Sequence, residues 1–236
     1  MVRLRRRVDA LDWAGLRDAL DEVGHARIPS ALTARECGAL ARLYSDDARF
    51  RKTVCMERHR FGLGEYRYFG RPLPDLVEAL RAAFHPHLAR VANEWESRLG
   101  TETRYETSQR AFARRCRAAG QERPTPLLLR YEAGGYNCLH QDLYGEVAFP
   151  LQVAICLSRR DSDFRGGEVL LVEQRPRQQS RGDAIALDRG EAVIFPTRER
   201  PVKGARGWYR ATVRHGVSRL HEGERLTLGV IFHDAR

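Results

Sequence analysis

The chain has 236 residues, with 41 Lys+Arg against 31 Asp+Glu and a formal charge of +10. That length buries a full core without disulfide or metal staples and suits one large domain. No run reaches the ~18 apolar residues of a membrane span, no apolar stretch follows the basic start "MVRLRRRVDALDWAGL", and the five scattered cysteines form no C-x-x-C; a membrane helix, a signal peptide, a zinc ribbon and a thioredoxin motif are therefore not expected.

Free thiols suit a reducing compartment, so a cytoplasmic location is expected. The basic excess favours anionic partners such as nucleic acid or phosphates. A solvated basic surface has the same composition, so charge alone does not choose.

In chain order, Asp12 is placed to cap a helix through about Val23, with Leu16, Ala19, Leu20 and Val23 on one stripe. "GHARIPS" reads as a short strand. "TARE", Thr33 to Glu36, is a capping box opening a second helix that carries Leu40 and Leu43. A longer helix is expected from about Pro74 to Leu99, with Leu76, Leu80, Phe84, Leu88, Val91 and Trp95 at near-helical spacing. Another runs from about Ser108 to Ala119 and carries Arg110, Arg114, Arg115 and Arg117. Ahead of the long helix, "MERHRFGLGEYRYFGRP", 56–72, mixes arginines, aromatics and glycines with no clean period. It reads either as a segment lying over a site or as a plain connection.

The texture changes near Pro124. "PLLLRYE", "FPLQVAICLS", "EVLLVEQ", "DAIAL", "EAVIFPT", "WYRATVRHGVS" and "RLTLGVIFHD" are short β-type runs with turns between them and no helix. That pattern suggests a sandwich or jelly roll rather than a parallel α/β sheet. The helices are expected on the sheet's outer face. This gives a single α+β domain, 1–236, with a mainly helical supporting region at 1–123 and a catalytic core at 124–236.

"CLHQDLYG" places His140 two residues before Asp142, a spacing that points both to one side of an extended segment. Two neutral imidazoles and one carboxylate on one face are what a non-haem Fe(II) needs. His215, His221 and His233 all lie late enough to supply the second imidazole. Arg225 and Thr227 are two apart on the expected last strand, so they share a face able to present a guanidinium and a hydroxyl to one carboxylate.

"YEAGGYNCLHQD", "FRGGE", "RGEAVIF" and "HGVSRLHEGER", in that order, resemble the Fe(II)/2-oxoglutarate-dependent dioxygenases, most closely their prolyl 4-hydroxylase-like branch. The resemblance spans about residues 127 to 234. It implies a double-stranded β-helix with Fe(II) held by His140, Asp142 and His215, and His221 as a rival imidazole. It implies 2-oxoglutarate held by Arg225, with Tyr131 and Thr227 assisting, and dioxygen as co-reactant. The expected reaction is hydroxylation of a C–H bond, first on an amino-acid side chain in a protein or peptide. Oxidative demethylation of alkylated nucleic acid, a small-molecule hydroxylase and an inactive cupin-like binding module remain as alternatives. Imidazole ligates only when neutral, so metal binding is expected to weaken as pH falls.

Overall fold

The computed structural model describes residues 2–236. Its elements are α1 (Val2–Asp9), α2 (Trp13–Glu22), β1 (Ala26–Ile28), α3 (Ala34–Arg42), β2 (Phe50–Cys55), β3 (Gly62–Leu63), β4 (Glu65–Phe69), α4 (Asp75–Arg98), α5 (Gln109–Ala118), β5 (Leu127–Glu132), β6 (Tyr136–His140), β7 (Leu151–Cys156), β8 (Phe164–Gly166), β9 (Val169–Gln174), β10 (Arg181–Ile185), β11 (Ala192–Pro196), β12 (Glu199–Gly204), β13 (Gly207–Val217) and β14 (Leu220–Val230).

Local chemistry sets the helix starts. The Asp12 carboxylate accepts from the Gly15 N–H at 3.0 Å and caps α2. Thr33 and Glu36 close the reciprocal box that opens α3. Both devices satisfy amide donors left orphaned at a helix start, each worth about 1 kcal/mol.

The larger sheet runs β1-β11-β7-β14-β5-β4-β2, with β8 also beside β14, and the smaller runs β10-β9-β13-β6-β3, with β12 on β13. These strand pairs are antiparallel. The result is the expected α+β jelly roll. α4 lays Val77, Leu80, Phe84, Leu88, Val91 and Trp95 in one cluster with Leu128, Leu151, Ile155 and Leu228 of the larger sheet. A second cluster, with Phe164, Leu171, Val193 and Phe195, fills the space between the sheets.

The first 123 residues are less helical than their composition suggests, since they also supply β1 to β4. β2 and β4 extend the larger sheet beyond β5. They are hard to read because they are short: β4 alternates charged and aromatic residues over only five positions, beside a glycine-rich stretch. Its Tyr66 and Tyr68 line a cavity, while Arg67 between them pairs with Glu65 and Asp47.

Candidate metal centre and cosubstrate pocket

Sheet register brings the two histidines together. His140 ends β6 and His215 lies on β13, and the two are direct cross-strand partners. Their ring centroids are 4.2 Å apart. Asp142 lies just past β6 and turns its carboxylate toward both rings, with Oδ2 3.1 Å from His215 Nε2 and Oδ1 3.6 Å from His140 Nε2. One donor atom from each residue falls within 4.8 Å of the others.

The surroundings prepare two of the three donors; His215 Nδ1 is buried without a hydrogen-bond partner. His140 Nδ1 sits 2.8 Å from the Cys138 carbonyl oxygen, so it carries the proton and leaves the Nε2 lone pair toward Asp142. Tyr144 Oη donates to Asp142 Oδ1 at 2.5 Å, and Tyr68 Oη lies 3.0 Å from Tyr144 Oη. One carboxylate oxygen is thereby fixed while the other faces His215. Burial alone would raise the Asp142 pKa, but His215, His140 and the Tyr144 hydroxyl outweigh it and hold the carboxyl well below the usual range. Burial and then the neighbouring His215 lower the His140 pKa, which favours the neutral, ligating ring.

The other expected residues line the same cavity, which measures about 420 Å³. Arg225 on β14 is 1% exposed and sits directly across from Tyr131 on β5. Arg225 Nε and Nη1, Tyr131 Oη and Thr227 Oγ1 are buried without a hydrogen-bond partner. Gln152 Nε2 on β7 is in the same condition and was not read from the sequence. Burial pushes the Tyr131 phenol well up, so it stays a neutral donor. Glu222 and Glu224, the nearby acids in sequence, are drawn off to Arg165 and Arg130. The "RGGE" glycines make room: a Cβ at Gly167, where φ is +64°, would lie 2.7 Å from Leu220 Cδ1 and 3.1 Å from Arg225 Cδ.

This set fits the groups the resemblance implies. Two imidazoles and a carboxylate are Fe(II) donors, and a buried guanidinium flanked by a hydroxyl and a phenol suits a dicarboxylate. The rival His221 is exposed. His233 is buried elsewhere, its Nδ1 accepting from the Phe149 N–H at 3.1 Å and its ring 5.8 Å from Tyr144. The 56–72 segment does reach the cavity, which Arg60, Phe61, Tyr66 and Tyr68 help to line. Nothing in its composition marked the two tyrosines. Tyr144 was visible two residues past Asp142, but its bond to that carboxylate depends on a turn the spacing does not reveal.

A jelly roll with this donor set defines the class of Fe(II)- and 2-oxoglutarate-dependent oxygenases, oxidoreductases that require iron, 2-oxoglutarate and dioxygen. A family model described as "Oxygenase, catalysing oxidative methylation of damaged DNA" matches residues 64–235. The chain belongs to that family. A Mycobacterium tuberculosis H37Rv protein, named only as uncharacterized, is 50% identical over 167 residues, 71% of this chain and 72% of its own. Two solved structures share the fold. A Pseudomonas putida prolyl-4-hydroxylase covers 95% of this chain and 99% of its own, with TM-score 0.53 and 16% identity. An oxidoreductase of the 2OG-Fe(II) oxygenase family from Burkholderia pseudomallei covers 96% and 93%, with TM-score 0.55 and 17% identity. All five cysteines are free, and no helix among the described residues is long and apolar enough to cross a membrane.

Proposed function

We propose that His140, Asp142 and His215 hold Fe(II), that Arg225, Tyr131 and Thr227 hold 2-oxoglutarate, and that the enzyme oxidatively removes small alkyl groups from nucleic-acid bases. The observation that carries the cosubstrate assignment is the guanidinium of Arg225, buried with no carboxylate beside it. An uncompensated buried charge costs several kcal/mol. The far carboxylate of 2-oxoglutarate supplies the counter-charge, and Thr227 and Tyr131 supply neutral donors to it.

Bound iron, with 2-oxoglutarate and dioxygen, supplies an oxidant that turns one C–H into C–OH while 2-oxoglutarate becomes succinate and carbon dioxide. The chain's own part is placement. His140 keeps its proton on Nδ1, Tyr144 holds Asp142 Oδ1, and the aromatic walls of Tyr66, Tyr68 and Phe195 keep water from the reacting centre.

Three observations support a nucleic-acid substrate. The family description names damaged DNA, the chain carries +10, and aromatic side chains line a cavity large enough for a planar base. Oxidation of an N-methyl group gives N–CH₂OH, which sheds formaldehyde, so the chemistry removes methyl groups. The amino-acid side chain, the first substrate expected from the sequence, is the competing outcome. The prolyl hydroxylase neighbour shares the fold at only 16% identity and does not favour it.

The test supplies Fe(II), 2-oxoglutarate and dioxygen, then follows succinate and formaldehyde with N-methylated oligonucleotides and with peptides. Methylated oligonucleotides should stimulate succinate formation and release formaldehyde in equal amount. Stimulation by peptides alone overturns the substrate assignment. No turnover of 2-oxoglutarate under any condition overturns the whole reading.

A further inference from the structure

β13 has two unlike faces. Burial alternates along it, so that Ala211, Val213 and His215 point inward while Trp208, Arg210, Thr212 and Arg214 are exposed on the other side. Lys203 on β12 lies directly across from Trp208, and Arg206 sits in the turn between the strands. The same strand that presents His215 to the metal set therefore carries a stripe of cations and one aromatic on its back.

The charge is concentrated beyond what composition requires. Across the whole chain bases outnumber acids by 41 to 31, whereas residues 198–214 hold six bases and the single acid Glu199. Arg200 is buried on Glu173, and Glu199 occupies Arg198 and Arg210. Lys203, Arg206 and Arg214 pair with no acid among the described residues. Trp208 is 38% exposed, and the Arg98 guanidinium lies 4.7 Å from its ring centroid, which holds the indole in place. Free cations beside a fixed, exposed aromatic form the combination that grips a phosphate backbone and stacks a base.

The hairpin is also registered to the site. Gln141, between His140 and Asp142, donates through Nε2 to the carbonyls of Arg198 at 3.0 Å and Val213 at 2.9 Å. We propose that the outward face of the β12–β13 hairpin, through Lys203, Arg206, Arg214 and Trp208, is the docking surface for the nucleic-acid strand whose base enters the cavity. This rests on the nucleic-acid reading of the site. Seven residues separate Trp208 from His215, about 24 Å at ~3.4 Å per residue.

The experiment measures binding of a 15-nucleotide methylated single strand across a salt series for the wild type, Lys203→Ser/Arg206→Ser, Arg214→Ser and Trp208→Ala. The double variant should weaken binding about 10-fold at low salt and flatten the log–log salt dependence by about 1.4, two phosphates at ~0.7 each. Arg214→Ser should flatten it by about half as much. Trp208→Ala should weaken binding with the slope unchanged. Uncoupled turnover of 2-oxoglutarate by the double variant should match the wild type, which shows that it folds. Wild-type demethylation should fall for oligonucleotides too short to span the ~24 Å from Trp208 to the metal set. Wild-type slope and affinity in the double variant overturn the hairpin assignment while leaving the substrate assignment standing. A wild type that binds no oligonucleotide, or binds only anionic lipid vesicles, overturns both.

Discussion

Two fully buried arginines, one in the helix layer and one between the sheets, behave in opposite ways. Arg81 of α4 is 2% exposed and gives Nη2 to the Phe232 carbonyl and the Asp234 carboxylate, at 2.6 and 2.9 Å. Arg225 is 1% exposed, its Nε and Nη1 find no hydrogen-bond partner, and it forms no ion pair among the described residues. The first is a structural ion pair in which Asp234 also takes Arg71, although Arg81 Nε itself finds no acceptor. The second is the charge that the proposed function assigns to a partner from outside. Burial alone therefore does not separate a stabilising charge from a binding one; the inventory of partners does.

The largest effect that tests the contrast lies at the acid beside Arg225's cavity. Asp142→Ala should cut iron-dependent succinate formation by about 10³-fold or more, since it removes the only carboxylate of the donor set. Turnover within a few-fold of wild type would remove Asp142 from the centre.

Next comes the arginine pair itself, read by chemical denaturation. Arg81→Met should cost about 1–3 kcal/mol, because it takes from the buried Asp234 carboxylate one of its two guanidinium partners and leaves Arg71. Arg225→Met should leave the metal- and cosubstrate-free protein as stable as before, or more so. It should raise the 2-oxoglutarate requirement by about 100-fold and leave iron affinity within a few-fold. Equal destabilisation by the two substitutions would make Arg225 structural.

A smaller effect is expected at Tyr144→Phe, which keeps the ring against His233 and deletes only the donor to Asp142 Oδ1. Affinity for Co(II) or Fe(II), measured by titration without turnover, should fall about 10-fold with thermal stability little changed. Unchanged metal affinity would reduce Tyr144 to packing.

The smallest concerns the helix layer. His85 is buried against Phe112 and Phe149, and burial lowers its pKa from 6.5 to about 4. A depressed histidine pKa means that the unfolded chain takes up the proton first. The stability this group contributes is complete above about pH 6.5 and drains away as pH falls toward 4, about 1 kcal/mol of it between pH 7 and 5.5. His85→Leu should flatten that limb of the stability curve. An unchanged acid limb would show that other groups set it.

Much of the site was legible because its residues are close in sequence or fall on readable strands. His140 and Asp142 are two apart, Arg225 and Thr227 share one face of β14, and "WYRATVR" announced the strand that delivers His215. The rest depends on long-range register. Gln152 is hidden in the apolar run "FPLQVAICLS", and only the pairing of β7 with β14 brings it to the cavity. Tyr66 and Tyr68 reach it because β4 joins β5, a contact across about sixty residues that leaves no periodic trace. β6 was too short and too polar to read as a strand, yet its pairing with β13 is what sets the two imidazoles side by side. Of the β12–β13 hairpin only β13 was read; its partner β12, "ERPVKG", carries charges and a proline in place of an apolar run, so only its pairing with β13 marks it as a strand.

Gly167 bears on how this protein tolerates change. It is not one of the proposed metal or cosubstrate residues, yet any side chain there would press on Leu220 and on the stem of Arg225. In a library of random substitutions, position 167 should therefore score like a reactive residue, and selection for a differently sized diacid should find its first foothold there.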